Sequence, residues 1–207
     1  MDKKVIKQMY ADIVSRDNIR PMMMGVHFEA DRCYASDTHI LVIYNQGSEA
    51  HAGKTLNVEG VEIQGIYPQV ERVIPKEMPE GPLSIDLNQL HKALKWHRRQ
   101  SDSNIDDCIA FGESIYSIDF LFKTLNIFSV AGELGECKFY LNAPGRPAKL
   151  ESSSITAMVM PRCGEEADID GAREEGSAVI LAFETVVNNY AFNGWKPQEK
   201  KSALAWL

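Results

Sequence analysis

Long apolar runs are missing from this chain. Nothing in its 207 residues approaches the length of a membrane-crossing helix, which takes about 18 or more consecutive apolar residues. The start, Met1-Asp2-Lys3-Lys4-Val5, lacks the apolar core of a secretory signal. A cytoplasmic location is the resulting expectation, with no membrane partner. Cysteine is sparse: Cys33, Cys108, Cys137 and Cys163 are scattered, with no C-x-x-C spacing. That argues against a disulfide framework and against a zinc site. No cofactor or metal is expected. Positive charge is the minority, with 22 Lys and Arg against 29 Asp and Glu, for a net charge of −7. A simple nucleic-acid binder is more often basic, so DNA contact would require the cations to gather on one surface. Catalytic groups are also scarce. Asp37 and His39 form the one close acid–histidine pair in a promising turn, and nothing near them supplies a nucleophile or an oxyanion site. An enzyme of unknown class is therefore the least favoured of three functional readings.

What is present is an ordinary globular composition, 44% hydrophobic and 25% charged, on a chain long enough for one large or two small domains. Apolar pairs at Val5/Ile6, Met9/Tyr10 and Ile13/Val14 predict a helix over 3–16, with Asp2 as its N-cap. Strands are expected at 22–29, 32–36 and 40–45, followed by a small hairpin, 54–58 with 61–66. Four prolines between positions 68 and 82 mark a boundary. Beyond it, Asp86 with Gln89 resembles a capping box and predicts a helix from Leu87 to Arg98. A strand at 108–111, a helix from Ser117-Ile118-Asp119 to Val130, and strands at 138–141, 148–152 and 156–161 complete this part. Ser84-Ile85-Asp86 with Leu90 and Leu94 is echoed by Ser117-Ile118-Asp119 with Leu121 and Leu125. The expected division is thus residues 1–78, residues 79–163, and an acidic connector, C-terminal helix and tail over 164–207.

Cations do gather in one stretch. Lys92, Lys95, Arg98 and Arg99, with His91 and His97, occupy a segment without acids. Lys3, Lys4 and Lys7 add charge from the first helix, and Lys123 from the third. These are the candidate DNA-backbone contacts. They would be sequence-independent and salt-sensitive. A solvated helix face explains the same charges equally well.

Three further segments carry apolar and semi-polar side chains at strand ends and turns: Ala35-Ser36-Asp37-Thr38-His39-Ile40-Leu41, Tyr67-Pro68-Gln69-Val70-Glu71-Arg72-Val73-Ile74-Pro75, and Thr156-Ala157-Met158-Val159-Met160-Pro161-Arg162. In order, they make the chain resemble the bacterial sliding clamp, the beta subunit of DNA polymerase III. Ser36 to Leu41 looks like that family's Thr-Asp-Gly-His-Arg-Leu stretch. Tyr67 to Pro75 looks like its Phe-Pro-x-x-x-Arg-Val-Ile/Leu-Pro stretch. Met158 to Pro161 looks like its Val-Val-Met-Pro-Met run. Thr38 and Ile40 stand where the family has Gly and Arg.

The resemblance implies an α+β, DNA-clamp-like fold of antiparallel sheets with helices packed on one side. It implies that the three stretches converge on one hydrophobic pocket for short linear motifs of DNA polymerases and repair proteins. The residues carried over are Thr38, His39, Leu41, Pro68, Arg72, Val73, Met158, Met160 and Pro161. The function implied is a non-catalytic, clamp-like accessory of DNA replication or repair, a processivity factor with double-stranded DNA and a homo-oligomer among its expected partners. The alternative is a peptide-binding adaptor of the same fold that does not encircle DNA. The family's first domain has no counterpart here, and the interval between Leu41 and Tyr67 is shortened. The apolar stretch Leu204-Ala205-Trp206-Leu207 is a further candidate occupant of the pocket.

Overall fold

The structure is a computed structural model that describes residues 2–79, 81–99 and 107–162. Expectations for the acidic connector, the helix at 176–192 and the apolar tail lie outside the described residues. Helix α1 (Lys3–Asp12) begins where the Asp2 carboxylate accepts a hydrogen bond from the Lys4 N–H, satisfying an otherwise orphaned donor. Strands β1 (Val26–Phe28), β2 (Cys33–Ser36), β3 (Ile40–Tyr44), β4 (Lys54–Leu56) and β5 (Glu62–Ile63) follow. Then come α2 (Leu87–His97), the hairpin β6 (Cys108–Phe111) and β7 (Ser114–Ser117), α3 (Ile118–Ala131), and strands β8 (Lys138–Tyr140), β9 (Ala148–Glu151) and β10 (Ile155–Val159).

The expected strand at 22–29 is divided. Pro21 opens a 3-10 turn over Pro21–Met24, and pairing begins only at Val26. Gly25 sits between the two, where an added Cβ would lie 2.5 Å from the Leu56 carbonyl oxygen. Strand β7 was not anticipated. It turns back from β6 through Gly112, whose φ of +59° suits glycine. The helical echo holds for the leucines, all four of which are buried, but not for the caps. Asp86 caps α2 by accepting from Asn88 and Gln89 N–H groups. Its counterpart Asp119 lies inside the first turn of α3, behind Ser117 at the N-cap position.

Eight strands form one antiparallel sheet in the order β5-β4-β1-β2-β3-β10-β9-β8. Its middle seam joins β3 to β10, with Leu41 opposite Met158 and Val42 opposite Ala157. Residues on both sides of the proline-rich segment therefore share a sheet. They also share a core, in which Val5, Met9, Val42 and Tyr44 cluster with Leu94, Leu125, Phe128 and Leu150.

Side chains alternate across the two faces of a strand, and the two faces here have different covers. Ile40, Val42 and Tyr44 of β3, with Ile155, Ala157 and Val159 of β10, join the core built with the helices. Leu41, Ile43 and Met158, with Tyr34, form a second cluster under Tyr67 and Val70. Every residue of β3 is buried for this reason. The proline-rich segment serves as the cover on the side away from the helices.

Titration enters through one buried and one half-buried histidine. His91 is 7% exposed, stacks on Phe122 at 5.3 Å, and leaves Nε2 without a hydrogen-bond partner among the described residues. Burial, then the nearby Lys95 charge, hold its pKa below the ordinary value. Burial likewise lowers that of His27, whose Nδ1 lies 2.9 Å from the Thr55 hydroxyl. A folded-state pKa below the unfolded one means that the unfolded chain binds more protons. Stability is then full above about pH 6.5, the unperturbed histidine value, and falls as pH drops through it, by at most about 1.4 kcal/mol per pH unit per imidazole. Urea unfolding between pH 7.5 and 5.5 is expected to show this decline, and His91→Leu to remove part of it. A flat wild-type profile would contradict the assignment.

Candidate functional site

The site begins with the β2–β3 turn. Asp37 Oδ1 accepts from the N–H groups of His39 and Ile40 at 2.9 and 2.7 Å, and Ser36 Oγ accepts from Thr38 N–H at 3.1 Å. These bonds fix the turn but leave Thr38 at φ +84°, the only non-glycine residue with positive φ among those described. A β-branched residue there is strained by about 1–2 kcal/mol. Glycine relieves that strain at an entropic cost of about 0.5–1 kcal/mol. Thr38→Gly is thus expected to stabilise the protein by about 0.5–1 kcal/mol in urea unfolding; a destabilised variant would refute the strain. His39 is placed by stacking on Phe120 of α3, with ring centroids 5.0 Å apart. Its backbone carbonyl accepts from Met160 N–H at 2.8 Å, which carries the β3–β10 pairing beyond Val159.

The second wall is the segment from Tyr67 to Ile74. Tyr67 is buried against Tyr34 and His27, at centroid distances of 5.2 and 5.3 Å. Burial raises its phenol pKa well above the ordinary range. A 3-10 turn over Val70–Arg72 points Val70 into the sheet-side cluster. Arg32 anchors the turn from outside. Its Nε donates to Glu29 Oε2 at 2.5 Å and its Nη2 bonds Glu71. The Tyr34 hydroxyl donates to Glu29 Oε1 at 3.1 Å. The hydrogen bond to Glu29 raises the Arg32 pKa most.

Between the turn, this wall and the end of β10 lies a cavity of about 230 Å³. Its lining includes Thr38, His39 and Leu41 from the first segment, Pro68 and Val73 from the second, and Met158 and Met160 from the third. Ser36, Ile40, Tyr67, Gln69 and Val70 complete those walls. Arg72 and Pro161, also carried over from the family pattern, do not line it. Arg72 ends the 3-10 turn and is exposed. Arg20 and Met23 line it and were not singled out from the sequence. They arrive because the chain folds back after α1, where Ser15 N–H donates to the Met23 carbonyl at 2.8 Å. Apolar walls, a few polar groups at the mouth and three methionines describe a groove for apolar side chains. They do not describe a reaction centre.

The candidate DNA contacts divide into cations without an ion pair among the described residues and cations engaged with Asp119. Lys3, Lys4 and Lys7 on α1, Lys92 and Lys95 on α2, and Arg99 in the turn just after α2 are exposed. Arg98 and Lys123 share the buried Asp119, at 3.0 and 2.6 Å, and Arg98 also lies over the Phe122 ring at 4.3 Å. His91 and His97 do not belong to the cationic face. His91 is core, and His97 Nε2 lies 2.5 Å from Asp107 Oδ2. Helices α1 and α2 both pack against α3, so the exposed lysines stand on one helical layer. No helix among the described residues is long and apolar enough to cross a membrane.

No protein-family model matches the chain, and no curated protein matches it either. Solved structures do. The DNA polymerase sliding clamp of Bacillus subtilis superposes with a TM-score of 0.59 at 12% identity, over 78% of this chain and 63% of that one. The DNA polymerase III beta subunit of Borrelia burgdorferi, solved with a natural product, gives 0.61 at 16% identity, over 80% and 64%. The Pseudomonas aeruginosa clamp, solved with a ligand, gives 0.59 at 14% identity, over 78% and 63%. The fold is that of the sliding clamps, and the chain spans less than two thirds of the length of these proteins.

Proposed function

We propose that this protein is a non-catalytic, clamp-like accessory of DNA replication or repair. Its pocket binds short linear peptide motifs, and its helical layer contacts the DNA backbone without reading sequence. One observation carries the proposal. Seven side chains drawn from three segments up to about 120 positions apart in sequence line a single apolar cavity on a clamp-like sheet. Adjacent strands β3 and β10 bring the first and third together, and the covering segment supplies the second. The resemblance also suggests a homo-oligomer among its partners.

The cations supply the DNA part of the proposal, and only the exposed ones are suited to phosphate. A handful of such contacts gives weak binding that falls steeply with salt. Reversing Lys92, Lys95 and Arg99 to glutamate is expected to lower affinity for a random-sequence duplex by about tenfold or more at low salt, with peptide binding retained. Fluorescence anisotropy of a labelled duplex measures this. Wild-type peptide binding with no DNA affinity at any salt concentration would instead favour the adaptor that does not encircle DNA.

A further inference from the structure

The chain's negative charge is not spread evenly. Residues 164–175 hold Glu165, Glu166, Asp168, Asp170, Glu174 and Glu175 against Arg173 alone, five of the seven net negative charges in one stretch. The described residues end just before it, at Arg162. The Arg162 N–H donates to the Ile115 carbonyl at 2.8 Å, and its Nη1 donates to Cys108 Sγ at 3.2 Å. Cys108 adjoins Asp107, whose Oδ2 lies 2.5 Å from His97 Nε2 in the last turn of α2. The acidic stretch therefore leaves the fold beside the C-terminal end of α2. On that helix Lys92 and Lys95 are exposed, as is Arg99 just beyond it, and no ion pair engages them among the described residues. The acids on the elements around them are committed elsewhere. Asp86 caps α2 through the Asn88 and Gln89 N–H groups, Asp119 pairs with Arg98 and Lys123, and Asp12 of α1 accepts from Gln8 and Asn126.

We propose that residues 164–175 dock on the exposed cations of α2 and its C-terminal turn, Lys92, Lys95 and Arg99, and compete there with DNA. The inference rests on the DNA-contact reading above and adds a control carried by the same chain. Twelve extended residues reach about 40 Å, whereas the eleven residues of α2 span about 16 Å. The stretch is long enough to follow the helix back from its C-terminal end. A single exposed ion pair contributes little. A short tether holds the acids at a local concentration on the order of millimolar, so several weak pairs act together. Carboxylate and phosphate both offer charged oxygens to the same lysine and arginine donors, so one face does not serve both at once. A duplex then binds only where its phosphates outcompete the chain's own carboxylates.

The test uses the full chain. A zero-length carbodiimide joins carboxylates to lysines in contact, and mass spectrometry maps the joined residues. Cross-links within one chain, from the acids of 164–175 to Lys92 or Lys95, are expected at low salt and are expected to fade as a random-sequence duplex is added. In fluorescence anisotropy, Glu165→Gln/Glu166→Gln/Asp168→Asn is expected to bind that duplex about three- to tenfold more tightly than wild type. Glu49→Gln/Glu59→Gln/Glu113→Gln removes the same charge from exposed positions elsewhere and is expected to change affinity by about twofold or less. Equal tightening by both triple variants would reduce the effect to net charge and overturn the proposal. So would a lack of cross-links to Lys92 and Lys95, or cross-links to them from Asp102 or Asp106 instead. Cross-links found only between isotopically light and heavy chains would place the segment on a second copy and overturn it too. If cross-links form but neither wild type nor variants bind duplex, the competition falls together with the DNA-contact reading. If duplex binds a wild type that shows no cross-links, that reading stands and the proposal alone falls.

Discussion

The double variant Val73→Ala/Met160→Ala is expected to lose about thirtyfold or more in affinity for a capped leucine–phenylalanine peptide, while unfolding at the wild-type urea concentration. The two side chains line the cavity from different segments, one from the proline-rich cover and one from just after β10. Val73 is 44% exposed and Met160 half-buried, so truncating them opens no cavity in the core and costs little stability. In a complex, both would be covered by ligand, and the loss would be that of an interface anchor, about 2 kcal/mol or more for the pair. Unchanged affinity would remove the pocket from the account. Lost affinity together with a large drop in stability would point to a structural role for these residues instead.

Phe128→Ala is expected to destabilise the protein by about 3–5 kcal/mol. Phe128 is fully buried in α3, in the core shared by α1, both parts of the sheet and α2. Its loss leaves a void among residues from either side of the proline-rich segment. The seam between β3 and β10 and the packing of α1 on α3 couple these parts. Tryptophan fluorescence and far-ultraviolet circular dichroism are therefore expected to report one coincident transition, shifted as a whole to lower urea. Two transitions, with only one shifted, would show that residues before and after the segment fold separately.

The elements most legible in sequence were those with strong local signals. Helix α1 announces itself through Asp2 and its apolar pairs, and α2 through Asp86. Strands β3 and β10 read clearly from their apolar runs. The two-sided burial of β3 did not, because a run such as Ile40-Leu41-Val42-Ile43-Tyr44 looks the same whatever covers each face. Strand β7 escaped because Ser114-Ile115-Tyr116-Ser117 runs straight into α3 without a break. The histidines of α2 were grouped with its lysines by composition. A helix of 3.6 residues per turn sends His91 inward beside Leu90 and Leu94, while Lys92 and Lys95 face out.

The pocket was legible in three of its walls, through the resemblance those segments bear to the clamp family. The fourth wall was not. Arg20 and Met23 belong to a loop without periodicity, and only the fold-back after α1 brings them to the cavity. The run Met22-Met23-Met24 was the one available hint, since methionine suits adaptable apolar surfaces.

Methionine itself offers the most direct test of the central claim, that three separated segments build one peptide site. The chain has eight methionines, of which Met23, Met158 and Met160 line the cavity and Met9 lies fully buried on the inner face of α1. With methyl-labelled methionine, titration of the full chain with the capped leucine–phenylalanine peptide is expected to shift the Met23, Met158 and Met160 resonances together, with one dissociation constant, and to leave Met9 in place. Saturable peptide binding that moves none of those three would contradict the account.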